Sequence, residues 1–198
     1  MSDLREAALQ FFAALDSLNI PFAIGGSFAS SIHGIARPTQ DIDVVAKISP
    51  AQIVPLAQAL QSAFYADPDQ MRSAIFRRRS FNVIHLATSF KFDVFPASSH
   101  PLGDQQIDRR QFPTGTILGG DPITLPVVSA EDILLAKLRW YRDGGESSER
   151  QWNDLRNILA VQAGRLDRDY LRHWAAILSV SDLLEKLLPP FTAPPANK

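Results

Sequence analysis

Apolar residues recur at helical spacing from the first turns of the chain: Leu4, Ala8, Phe11, Phe12, Leu15 and Leu18 share one face. An Asp3–Glu6 pair in front of them has the spacing of a helix cap. The next apolar run, "IPFAIGG", predicts a short buried strand that stops at its glycines. Ser27 is then expected to cap a helix running to about His33, which Gly34 ends. "DIDVVAKI" reads as a second strand, and Ser49-Pro50 opens a helix expected to continue to about Phe64. Asp67-Pro68 opens another short helix. "FNVIHLA" and "FKFDVFP" predict two strands joined by a tight turn at Thr88-Ser89.

Between 100 and 128 the pattern weakens among Gly, Pro and Asp, with weak strands expected near 112–118 and 123–128. Ser129 and Asp132 form a capping-box pattern before a helix over 130–142. After the flexible "RDGGESS" connection, helices are expected over about 149–162, 168–178 and 180–187. The proline-rich tail "PPFTAPPANK" predicts poor order. Strands mixed with helices, followed by helices alone, define an α+β chain with a mixed β-sheet core flanked by helices and a helical C-terminal part. The expected division is a core over 1–128, a helical subdomain over 129–188 and a disordered tail over 189–198.

Composition narrows the function classes. The 198 residues are 45% apolar and 21% charged, with a formal net charge of -1. That balance suits a globular fold and argues against broad, nonspecific DNA binding. Cysteine is absent, which removes thiolate zinc sites, disulfides and a cysteine nucleophile. No apolar run has the length of a membrane span, and "SDLREAA" after Met1 has neither the basic nor the apolar region of a secretory signal. The expectation is a cytoplasmic protein without a membrane partner.

The chemistry begins where the apolar pattern is broken. Asp41 and Asp43 are two apart on a predicted strand and therefore project from the same face, with Ile42 and Val44 opposite. Paired carboxylates repel unless a cation lies between them, and oxygen ligands favour a hard ion such as magnesium. A solvated strand face is the competing reading. Asp93, between Phe92 and Val94, also needs a partner; it joins the pair if its strand lies beside theirs, or forms a salt bridge with Lys91 on its own face. "GGS" at 25–27 combines sharp-turning glycines with a serine at a helix start, where an anion can approach, although packing alone can explain such glycines.

Lys137 falls near the centre of an apolar arc formed by Ile133, Leu134, Leu138, Trp140 and Tyr141, with Asp132, Arg139 and Arg142 opposite. A lysine there must either snorkel to water or meet an anion. Arg37 and Thr39 are placed to touch a bound phosphate or to form a loop salt bridge. Arg72 and Arg77–Arg79 are a solvated cluster or a contact for an RNA backbone. The four histidines show no ligand spacing. Asp154 sits at the edge of its helix's apolar stripe, where capping or ion pairing is expected.

In combination, Ile24-Gly25-Gly26-Ser27, Asp41-Ile42-Asp43-Val44 and Asp93 resemble the signature of the nucleotidyltransferase superfamily with the DNA polymerase β-like fold. "ARPTQDID", "VVSAEDILLAKL" and "WNDLRNIL" further resemble the AbiEii-type bacterial nucleotidyltransferases, which include toxins of toxin–antitoxin and abortive-infection systems. The likeness spans roughly residues 20–160. It implies that Asp41, Asp43 and Asp93 ligate magnesium, with two ions expected and manganese as the alternative, and that Asp93 is a ligand or the base for the acceptor hydroxyl. It also implies that Gly25, Gly26 and Ser27 hold a nucleoside triphosphate, with Arg37, Thr39 and Lys137 at its phosphates. The implied reaction moves a nucleoside monophosphate to a hydroxyl of RNA, protein or a small molecule, with a cognate antitoxin as the implied partner. The alternatives are a non-catalytic nucleotide-binding or regulatory protein of the same fold and an adenylyltransferase acting on a small molecule such as an aminoglycoside.

Overall fold

The computed structural model describes residues 2–116 and 118–188; the expected disordered tail lies outside them, as does Ile117 within one of the expected weak strands. Helix α1 (Ser2–Ser17) leads into β1 (Phe22–Ile24), α2 (Gly26–His33) and β2 (Asp41–Ala46). The helix expected up to Phe64 is broken. A 3-10 turn at Pro50–Gln52 precedes α3 (Ile53–Leu60), and Phe64–Tyr65 pairs into the sheet as β3. Phe64 is better used there, because its ring packs against Phe11 and Phe92. Helix α4 (Pro68–Phe76) is capped by Asp67, whose carboxylate accepts the backbone N–H groups of Asp69 and Gln70. Strands β4 (Phe81–His85) and β5 (Lys91–Pro96) form the expected hairpin, with Ser89 in the left-handed region.

The sheet runs β1-β2-β5-β4-β3. β2 and β5 are parallel, and every other neighbouring pair in it is antiparallel. Even-numbered residues of the two parallel strands (Ile42, Val44, Phe92 and Val94) point into an aromatic core. There the Phe92 ring stacks on Phe11 of α1 with centroids 4.4 Å apart. Odd-numbered residues point to the opposite face, where α2 and the later helices lie.

A helix that the weak pattern hid, α5 (Gly103–Asp108), follows β5. It lies against the turn at Ala97 so closely that a Cβ on Gly103 would meet the Ala97 carbonyl oxygen at 2.0 Å. Short strands β6 (Thr114–Gly115) and β7 (Ile123–Thr124) pair with each other, and Val127 then bridges to Ile24. The helical remainder is α6 (Ala130–Asp143), α7 (Glu149–Val161), α8 (Arg168–Ile177) and α9 (Ser181–Leu187). Ser129 accepts the backbone N–H of Asp132, but the Asp132 side chain does not complete the box. Asp132 is fully buried rather than on a solvent face, because α8 covers that flank and the Tyr170 hydroxyl donates to it at 2.6 Å. Among the described residues, no helix is long and apolar enough to cross a membrane.

Candidate active site

The site grows from the register of the two parallel strands. Asp43 is paired with Asp93 and Asp41 with Lys91, so all four side chains share the face opposite the aromatic core. β1 ends beside them, where the Gly25 N–H donates to the Asp43 carbonyl at 2.9 Å. The chain then turns through Gly26, at φ +54°, into α2. No side chain fits at that turn: a Cβ on Gly26 would lie 1.6 Å from Asp43 Oδ2. Gly26 therefore lets the start of α2 come down onto a carboxylate, whereas a Cβ on Gly25 would meet nothing nearer than the Asp43 carbonyl oxygen at 4.0 Å. Gly25, not Ser27, is the helix cap, and Ser27 sits in the first turn.

Burial, followed by the charges of Asp41 and Asp93, pushes the Asp43 carboxyl up to about 6, while the Ser27 backbone and the Lys137 charge pull it back down. Asp93 Oδ1 is buried with no hydrogen-bond partner, and its Oδ2 accepts from Lys91 Nζ at 2.8 Å. Lys91 also reaches toward Asp41, at 4.0 Å. The salt bridge expected as an alternative for Asp93 thus forms, on the same face as the carboxylate pair. Thr39 supports Asp41, its hydroxyl donating to Oδ1 at 3.1 Å.

The donor set matches what magnesium takes from a protein, one or two carboxylates with the remaining positions left to water and phosphate. An orphaned carboxylate oxygen, and a carboxyl raised by burial and then by its acidic neighbours, both mark a place short of positive charge. Among the described residues, no three acidic or histidine side chains form a ready-made cage. The Lys91 ammonium occupies part of the space between Asp41 and Asp93.

Behind the carboxylates lies a second cluster centred on Asp154 of α7. Lys137 Nζ donates to Asp154 Oδ2 at 2.9 Å, and Arg37 holds both carboxylate oxygens, through Nε at 2.9 Å and Nη2 at 2.8 Å. The same Nη2 donates to Ser27 Oγ at 2.6 Å. Lys137, only 3% exposed, therefore does not snorkel; its anion is Asp154. Burial raises the Asp154 carboxyl, but the bonds from Arg37 and Lys137 outweigh that and hold it below the usual range. Burial pulls the Lys137 ammonium down against the same bond. The ion pairing expected of Asp154 forms, and with two cations at once; the sequence signal for its partner is a lysine on an apolar helix face in need of an anion.

Two hollows flank the carboxylates. One, of about 440 Å³, is polar and bounded by Arg37, Thr39, Asp41 and Arg150. The other, of about 420 Å³, runs from Gly26 and Asp43 to Phe95 and Trp140. Arg78 and Arg79 lie at the edge of this second hollow, while Arg72 is turned to Asp69. The histidines are structural where they are bonded: His33 Nε2 meets the Val128 carbonyl oxygen and His85 Nδ1 meets Thr88.

Solved structures resemble the fold in which this strand–turn–helix sets Gly-Gly-Ser above aligned carboxylates on parallel strands. One is an antigenic nucleotidyltransferase-like protein from Paracoccidioides brasiliensis, 20% identical, with 91% of this chain and 90% of that chain covered at a TM-score of 0.50. Another is ANT(2")-Ia in complex with adenylyl-2"-tobramycin, 13% identical, with 90% of this chain and 98% of that chain covered at a TM-score of 0.52. At such identities the likeness establishes the fold. No curated protein matches the sequence. Residues 9–182 match the family described as nucleotidyl transferase AbiEii toxin, type IV TA system, and the chain belongs to that family of nucleotidyltransferases.

Proposed function

We propose that the chain transfers a nucleoside monophosphate from a nucleoside triphosphate to an acceptor hydroxyl, with magnesium held at Asp41, Asp43 and Asp93. The observation that carries this is the register that sets Asp43 beside Asp93, with Asp41 on the same face, beneath the glycine turn into α2. The bound ion would neutralise charge on the phosphates and on the departing pyrophosphate. Asp93 accepts the proton of the attacking hydroxyl as the new oxygen–phosphorus bond forms and the bond to pyrophosphate breaks. Gly25 and Gly26 keep side chains out of the approach, so that Ser27 and the first turn of α2 face the triphosphate. Arg37 and Lys137 act from behind. Arg37 fixes the Ser27 hydroxyl, and Lys137 adds positive charge near Asp43 while Asp154 holds both in place. Thr39 orients Asp41, and Lys91 gives way to the incoming cation.

The family description supports a toxin role with a cognate antitoxin as partner. The test incubates the protein with each labelled nucleoside triphosphate, magnesium and a cell extract. Label should move to an acceptor with the wild-type chain and fail to move with Asp43→Asn or Asp93→Asn. Transfer that survives both substitutions, or a folded wild type that labels nothing under any condition, would sink the proposal.

A further inference from the structure

The carboxylates on the open face of β2 and β5 already hold a cation of the protein's own. Lys91 Nζ donates to Asp93 Oδ2 at 2.8 Å and lies 4.0 Å from Asp41 Oδ2. The other cations behind the site are committed elsewhere, since Lys137 and Arg37 both pair with Asp154. Register fixes the arrangement. Lys91 stands across from Asp41 on β2, and on its other side β4 sets Ile84 beside Lys91 and Asn82 beside Asp93. β4 therefore brings no alternative anion, and among the described residues Lys91 forms ion pairs with these carboxylates alone.

The pairing is incomplete, because it satisfies one Asp93 oxygen and leaves Oδ1 buried without a partner. It is also loosely held. The Lys91 side chain is 40% exposed and ends a flexible stem, so its ammonium can swing away without unpacking the core. A divalent ion between Asp41 and Asp93 has to displace it, because two cations drawn to one carboxylate repel each other.

We propose that Lys91 is a resident counter-ion that makes the metal wait for the nucleotide. A bare divalent ion must break the Lys91–Asp93 pair and then sit beside the freed ammonium. An ion that arrives on a triphosphate brings negative charge with it, and the ammonium exchanges a carboxylate for a phosphate. Lys91 keeps its proton throughout. Ion and triphosphate then favour each other's binding, and such coupling is reciprocal. The inference rests on the magnesium site of the transferase proposal, but its test needs no turnover.

The full chain is titrated by calorimetry at one pH, first with manganese alone and then with manganese complexed to a nonhydrolysable analogue of each nucleoside triphosphate in turn. Lys91→Gln removes the charge and Lys91→Arg keeps it; circular dichroism checks that both variants fold. Lys91→Gln should bind bare manganese about tenfold or more tightly than the wild type, because the ion no longer competes with an ammonium. Its affinity for the complex should stay the same or fall, and Lys91→Arg should follow the wild type in both arms. Bare-ion affinity that Lys91→Gln leaves unchanged or lowers overturns the proposal and leaves the metal site standing. An equal gain for bare ion and complex also overturns it, because Lys91 then repels the ion in every state. So does a Lys91→Arg variant that behaves like Lys91→Gln, since charge is then not the cause. If no protein binds manganese in either arm, the magnesium site of the transferase proposal falls and the counter-ion falls with it.

Discussion

At the scale of single residues, the site is a set of charges whose cost is visible. Asp43 is held as a carboxylate among carboxylates, with its pKa raised to about 6 by burial and by Asp41 and Asp93. A raised acid pKa means that the folded state binds the extra proton, so near neutral pH the ionised group opposes folding by about 3 kcal/mol. Asp43→Asn should therefore raise the melting temperature of the ion-free protein by a few degrees while abolishing transfer; calorimetry without magnesium, beside the labelling assay, checks both. Asp154 is the opposite case. Asp154→Ala strands Lys137 and Arg37, and should cost about 3–5 kcal/mol in denaturant unfolding. Converting the buried pair together, as Lys137→Met with Asp154→Leu, should recover most of that stability but not the activity, because Arg37 no longer fixes Ser27. If the double variant is as unstable as Asp154→Ala, the charges are not the source of the loss. These pairings were only half legible in the sequence. The wheel showed that Lys137 needed an anion, but Asp154 lies 17 residues away on another helix, and only packing brings it within 2.9 Å.

At the scale of elements, most of the helices and strands could be read because each buries one face, and burial imposes a period. The reading failed where an element is buried on more than one side or barely has a side. Helix α6 is covered on two flanks, so Asp132, on the supposedly polar arc, is buried beneath Tyr170. Arg109 lies over the same tyrosine ring at 3.8 Å, closing that flank. Helix α5 is only six residues long and shows too little period to be recognised. Elements also communicate through single hydrogen bonds, as at the end of α2, where buried His33 meets the Val128 carbonyl oxygen just before α6. Burial lowers the His33 pKa against the opposing effects of that bond and of Glu131. The unfolded chain then takes up the proton first. The stability contributed by neutral His33 is complete above its ordinary pKa of about 6.5 and declines as the pH falls below it. Urea unfolding from about pH 7 to about pH 5 should show a smaller loss in His33→Gln than in the wild type.

At the scale of the whole molecule, one hydrophobic core joins Phe11, Ile24 and Val44 from the sheet half to Leu134, Leu171 and Leu184 from the helical half. A shared core predicts cooperative unfolding. Because Trp140, Trp152 and Trp174 all lie on the later helices, their fluorescence should change with the same midpoint as far-ultraviolet circular dichroism; two separated midpoints would show that the halves unfold independently. The sequence by itself determined which residues face together: alternation put Asp41 and Asp43 on one side of a strand, and the glycines marked the turn beside them. Those are local facts, set by the two-residue repeat of a strand and by the steric freedom of glycine. The tertiary structure decided which groups meet. Parallel pairing aligned Asp93 with Asp43 and put Lys91 across from Asp41, α7 supplied Asp154 to Lys137 and Arg37, and α5 buried Gln106 beside an aromatic wall. No local period encodes such partners, because the energy of a buried charge or amide depends on what the rest of the chain packs against it.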